Sequence, residues 1–204
     1  MSQETLEMIN QMDRKDLGIQ LAIQCAPFLS GIKLSNLLII EKKRKSELQA
    51  ILRETDIECL ELLIKCDKVF CMLYRKCEFY DFLESKIVKN FLNEMGYAAE
   101  SFEDTFTLLR KRYASFMKGQ CDFPHELGLL LGYPIEDVTG FIENQGKNYL
   151  YSGYWKVYDN LPVKKNLFRR FRHVEETMIQ LLSMGVRITD IIDIYQKENT
   201  KGVA

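Results

Sequence analysis

Cys25, His125 and Glu126 are the side chains best suited to nucleophilic attack or proton transfer in this 204-residue chain. His125-Glu126 matches the first half of a zinc-protease signature. That signature needs a second histidine four residues after the first, so that both ligands face one metal. Position 129 is Leu, and the metalloprotease reading fails there. A neutral histidine at a helix start can still take a proton from a thiol or hydroxyl. Pro124 suits the first turn of a helix, where its missing N–H removes nothing. The positive end of the helix dipole then favours neutral imidazole at His125 and a carboxylate at Glu126. The plain alternative is a His and a Glu that finish a helix start and bond a neighbouring loop.

Cys25, in "QCAPFLSGIK", would be activated near a helix terminus if His125 were its base. It also lies on the apolar side of its segment with Leu21, where an inert thiol belongs. Asn144 or Asn148 could orient the histidine. Gly146-Lys147, in "ENQGKNY", falls short of a phosphate loop. That pattern wants a glycine five residues before Gly146 and Ser or Thr after the lysine. Gly140 is six residues before, and Asn148 follows. A helix stop at Gly146 and a backbone-lined anion pocket with Lys147 both remain open.

The six cysteines read as reduced thiols. Cys66, Cys71 and Cys77 are spaced C-x4-C-x5-C, without the tight C-x2-C pair that zinc sites favour. Cys66 is expected at a hairpin turn and Cys71 on the strand face opposite Phe70 and Met72, so the three should not converge on a metal. "VKKNLFRRFRH" carries five basic residues. On a helix Lys165, Arg169 and Arg172 lie opposite the apolar stripe, with Glu176 placed to pair with Arg172. That face is either self-paired and solvated or a docking surface for an acidic protein. It has no interleaved aromatics, which argues against nucleic acid.

These groups need a scaffold, and composition supplies one. The chain is 47% hydrophobic with net charge −1, so a sizeable core is available and nothing global attracts nucleic acid or anionic membrane. No apolar run approaches the roughly 20 residues of a membrane span, and "MSQETLEMINQMDRKD" is too polar for a signal peptide. A cytoplasmic protein is expected. Helical patterning covers Glu4–Cys25, interrupted near Gly18 and stopped at Pro27. It returns over Glu78–Met95, ended by Gly96, and over Phe102–Met117. There Phe102, Phe106, Leu109, Tyr113 and Phe116 share one face behind a Ser101–Asp104 cap. Asn160–Met184 and Thr189–Lys197 follow, with Thr189 as N-cap and a frayed tail over 198–204. "EKKRKSE" (Glu41 to Glu47) is a loop or a helix start. Ser35–Ile40, Ile57–Ile64, Lys68–Tyr74 and Tyr149–Tyr158 read as strands.

The expected fold is therefore one helix-rich α+β domain over residues 1–204. Its small, mainly antiparallel sheet has about four strands, with helices packed mainly on one face. The expected site lies within residues 123–154, where Pro124 and Pro134 start short helices that Gly132 and Gly146 end. There His125, Lys147, Asn148, Tyr151 and Tyr154 would line a pocket for a small anionic or planar ligand. The alternatives are a non-catalytic interaction module using the basic helix 164–173, and a Cys/His-dependent enzyme using Cys25 and His125. No metal site or cofactor is read from the sequence.

The stretches "CAPFLSGIK", "FCMLYR", "FPHELGLLLGYPIEDVTGFI" and "GKNYLYSGYWKVY" carry a resemblance. From about Cys25 to Tyr158 and into the following helix, the chain is similar to the bacterial domain-of-unknown-function family 3793, common in clostridia and related anaerobes. The resemblance implies a single cytosolic domain in an anaerobe, with reduced thiols. It implies no activity, cofactor or catalytic residue.

Overall fold

Strand β3 (Lys68–Arg75) is apolar on both sides. Val69, Cys71 and Leu73 enter one hydrophobic cluster, while Phe70, Met72 and Tyr74 join another. Such a strand must be covered on both faces. In the computed structural model, which describes residues 2–97 and 101–201 with side chains to Glu198, it is the centre of an antiparallel sheet. Strand β1 (Ser35–Glu41) pairs on one side of it and β2 (Ile57–Lys65) on the other. The β2–β3 hairpin turns at Cys66 and Asp67, whose φ angles of 49° and 58° mark a two-residue turn of the primed type. Cys66 thus sits in the turn, and Cys71 faces away from Phe70 and Met72, as the alternation predicts.

One layer over the sheet comprises α1 (Gln3–Gln11), α2 (Leu17–Leu29), α3 (Lys45–Leu52), α9 (Leu161–Ser183) and α10 (Ile188–Lys201). It buries Leu21, Cys25, Val174, Met178 and Ile191 against Leu38 and Leu73. The opposite layer comprises α4 (Lys76–Glu84), α5 (Lys86–Glu94), α6 (Phe102–Met117), α7 (Glu126–Leu130) and α8 (Ile135–Glu143). Here Phe106, Leu109 and Tyr113 of the α6 stripe pack with Phe79 and Leu127 on Leu60 and Met72. Phe102 and Phe116, at the ends of that stripe, are half-buried. The expectation of helices mainly on one face is corrected: both faces are covered, as the two-sided β3 requires.

Among the described residues the sheet itself has three strands. Tyr149–Tyr158 does not join it but folds into a separate hairpin of β4 (Tyr151–Ser152) and β5 (Lys156–Val157). Gly153 turns this hairpin so close to α9 that a Cβ there would lie 2.5 Å from the Phe168 ring. Trp155 and Val157 bury against Phe168 and Phe171, and that packing holds the segment on α9.

The helix limits shift for local reasons. The N-terminal pattern divides over Met12–Asp16, not at Gly18. Asp16 caps α2 by accepting the Ile19 N–H at 3.0 Å, while Gly18 packs inside the helix on Ile188. Pro27 lies within α2, which continues to Leu29. Its end is held from outside: buried Arg75 donates to the Phe28 and Leu29 carbonyls at 3.0 and 3.3 Å. Glu78–Met95 is two helices broken at Ser85. An unbroken helix would carry the Phe79–Leu83 stripe on to Ile87, which is 65% exposed; the break lets Val88 and Phe91 turn inward instead. Thr189 is not a cap, since α10 starts at Ile188. The helix also runs on to Lys201, so the expected tail is helical over 198–201, and 202–204 lie outside the described residues. "EKKRKSE" ends β1 and forms a 3-10 turn leading into α3.

Candidate ligand-binding site

A cavity of about 290 Å³ opens between α7, α8 and the β4–β5 hairpin. Its walls are built by short-range rules. Gly132 (φ 78°) ends α7, Pro134 caps the start of α8, and Gly146 (φ 70°) ends the turn after α8. The hairpin then returns over α8 and is tied down by Asp137. This carboxylate, 2% exposed, accepts the Trp155 indole N–H at 2.7 Å and the Tyr158 and Asp159 backbone N–H groups at 2.8 and 3.2 Å. Tyr158 packs on Gly140 so closely that any Cβ there would come within 2.6 Å of its side chain.

The lining is mostly aromatic. Tyr133 stacks on Trp155 with ring centroids 5.0 Å apart and planes at 26°. His125, half-buried, has Phe123 at 5.6 Å and Phe141 at 5.2 Å on its ring. The cation at this cavity is Lys156. Its Nζ donates to the Gly146 carbonyl at 2.7 Å and lies 4.9 Å from the Tyr149 centroid and 5.5 Å from that of Phe141. Among the described residues it forms no ion pair with a carboxylate.

Of the expected pocket residues, His125 and Tyr154 reach the cavity. Lys147, Asn148 and Tyr151 do not line it, and all three are exposed. The reason is the hairpin, which breaks the single-strand alternation assumed over Tyr149–Tyr158. Asn148, at φ 56°, donates to Asn144 Oδ1 at 3.2 Å, and Tyr151 stands beside Lys165 of α9. The residues missed were Lys156 and Asp137. A signal existed: a buried tryptophan needs an acceptor for its N–H, and Asp137 is the acid next to Val138 in an otherwise apolar helix face.

Glu126 turns away from the cavity into the core. At 3% exposure it accepts from the Tyr97 hydroxyl at 3.0 Å and from Arg112 at 2.8 Å. Burial, and then the Glu126 carboxylate, push the Tyr97 phenol up. Cys25 is not brought to His125. It lies on the buried face of α2, accepting an Asn36 N–H at 3.4 Å, and burial pushes its thiol up to about 12. A thiol so rarely ionised at neutral pH is not an activated nucleophile. Asn144 bonds the Gly140 carbonyl rather than the histidine.

On α9, Lys164 is buried and paired with Glu136, and Lys165 lies 5.1 Å from the Tyr151 ring centroid. Arg169 and Arg172 remain exposed, while Glu176, expected to pair with Arg172, accepts the Ser2 N–H. No helix is long and apolar enough to cross a membrane, and no group of three or more His, Cys, Asp or Glu is placed to hold a metal, among the described residues. A family model described as a protein of unknown function, DUF3793, matches residues 21–192. No curated protein and no solved structure matches the chain.

Proposed function

We propose that this chain, which belongs to the DUF3793 family of proteins of unknown function, binds a small planar ligand bearing an acidic group in the cavity under the β4–β5 hairpin. The observation that carries the reading is an aromatic hollow with one lysine beside it that has no carboxylate partner among the described residues. Tyr133, Trp155, Phe141 and Phe123 present ring faces and edges suited to a flat molecule. A volume of about 290 Å³ suits one or two fused rings. Lys156 would meet an anionic substituent, and the His125 imidazole would exchange a hydrogen bond with a ring heteroatom or hydroxyl. Asp137 already accepts three hydrogen bonds from the hairpin segment, so its role in this reading is to hold the wall.

The chain has one tryptophan, so Trp155 reports directly on this cavity. Titration with a panel of planar aromatic carboxylates, followed by Trp155 emission and thermal shift, tests the reading. Binding members should change the emission and raise the melting temperature. Lys156→Ala should weaken the carboxylates about 3- to 10-fold, in line with roughly 1 kcal/mol for one exposed charge contact. His125→Ala should weaken all binders, and Lys147→Ala none. A panel that leaves emission and melting unchanged at millimolar concentration would overturn the proposal.

A further inference from the structure

A second hollow, of about 280 Å³, lies between α2, β1, the α7–α8 turn and α9. Tyr133 and Tyr154 belong to both hollows and form the wall between them. Its notable group is Lys33. The chain after α2 reverses at Gly31 (φ 78°), and the Ile32 and Lys33 N–H groups both bond the Pro27 carbonyl at 3.0 Å. That reversal points Lys33 back over Asn36. Its Nζ donates to Asn36 Oδ1 at 2.5 Å and sits 5.4 Å from the Tyr133 centroid. Among the described residues no carboxylate pairs with it. A carboxyl does line the same hollow: that of Glu175 of α9, with Tyr154 also in the lining.

We propose that Lys33 is an imine-forming lysine that takes a small aldehyde or ketone with an apolar or aromatic body in this hollow. A lysine held as an ammonium by a carboxylate is a poor nucleophile, whereas one set among a neutral amide and a phenol ring is not so held. Loss of hydration lowers its pKa to about 8. Roughly a tenth of the amine is then neutral at pH 7, against about one in three thousand for an ordinary lysine. The Nζ lone pair forms the new C–N bond as the carbonyl π pair moves to oxygen. Nitrogen loses its proton and the oxygen gains one, giving a carbinolamine. A second proton reaches the hydroxyl, water leaves, and the nitrogen pair closes the C=N bond as an iminium, which gives up its remaining N–H proton to leave the imine. One water is released per imine, and no oxidant or reductant is needed. Glu175, its carboxyl raised chiefly by burial, is the acid in the hollow suited to exchange those protons. Leu37, Leu131 and Phe171 supply the apolar walls for the carbonyl compound's body.

The test uses benzaldehyde with sodium cyanoborohydride, whose hydride adds to the imine carbon and fixes the adduct as a secondary amine. Peptide mapping by mass spectrometry then reads the rate at each lysine. Lys33 should be modified at least tenfold faster than the mean exposed lysine at pH 7. Its rate should level off above about pH 8 while other lysines continue to climb. The titratable groups that line its hollow or act on it are Cys25 from α2, Tyr133, Tyr154 from the hairpin, and Glu175 from α9; none but Glu175 is expected to move that profile. Glu175→Gln should slow Lys33 modification and leave the other lysines unchanged. Modification of Lys33 at or below the rate of exposed lysines overturns the proposal, and the wild-type map alone decides this, whether or not any variant folds. The outcome is independent of the panel experiment on the neighbouring cavity, because benzaldehyde carries no acidic group.

Discussion

Asp137→Asn removes one charge and replaces one acceptor by a donor at the point where α8 grips the hairpin. The native carboxylate accepts three hydrogen bonds: from Trp155 on Oδ2, and from Tyr158 and Asp159 on Oδ1. An asparagine can set its carbonyl toward the two backbone donors, leaving its NH2 against the indole N–H. It can also do the reverse and orphan both backbone groups. Either way a charge-assisted bond is lost, worth about 1.5–3 kcal/mol, and a buried donor goes unpaired. The expected loss is about 2–4 kcal/mol, with Asp137→Ala at the upper end. For a domain of this length each kcal/mol moves the melting temperature by about 2–4 °C, so a fall of roughly 5–15 °C is expected. Urea denaturation followed by circular dichroism gives the global midpoint, and emission from Trp155 gives the local one. The native emission should also change, because the indole N–H loses its carboxylate acceptor. A variant that unfolds within about 0.5 kcal/mol of the parent, with unchanged emission, would refute the claim that Asp137 anchors this wall.

Phe106→Ala and Phe171→Ala each empty a buried ring site and should cost about 3–5 kcal/mol in denaturant titrations; an unchanged midpoint would show that the α6 or α9 stripe is misplaced. Arg75→Met removes the donors that hold the Phe28 and Leu29 carbonyls and the contact to Asp56, and should cost about 2–4 kcal/mol by thermal unfolding. Cys25, with its thiol pushed up to about 12, should resist iodoacetamide in the native protein, while exposed Cys66, Cys77 and Cys121 react; fast labelling of Cys25 would restore it as a candidate nucleophile. Lys33→Met should stabilise the fold by about 1–3 kcal/mol at pH 7, where the native state bears the full penalty of the poorly hydrated ammonium. Between about pH 8 and 10.5 the unfolded chain keeps a proton that native Lys33 has released, so parent stability rises with pH and the advantage of the variant shrinks; an advantage that does not change over this window would show that Lys33 titrates normally.

Local pattern determined a large part of this molecule. The alternation of Val69–Tyr74 placed Cys71 opposite Phe70 and Met72, and the spacing of Phe102 to Phe116 gave α6, because side-chain period follows from backbone geometry alone. The hairpin at Cys66-Asp67 was legible from the strands on either side, even without the Asn-Gly pair that makes such turns easy. Gly132 and Gly146 marked helix ends, since a left-handed residue needs no distant partner. What no local pattern decided was which segments meet. Tyr149–Tyr158 has the composition of a strand, yet its aromatic rings found Phe168 and Phe171 on α9, and that packing outweighed sheet pairing. With the hairpin came the exchange of Lys147 for Lys156 at the cavity. Asp137 met Trp155, and Lys33 came to share a hollow with Glu175, through contacts between segments far apart in the chain. Such pairings are set by the global fit of whole layers on the two-sided strand β3, which only the folded chain resolves.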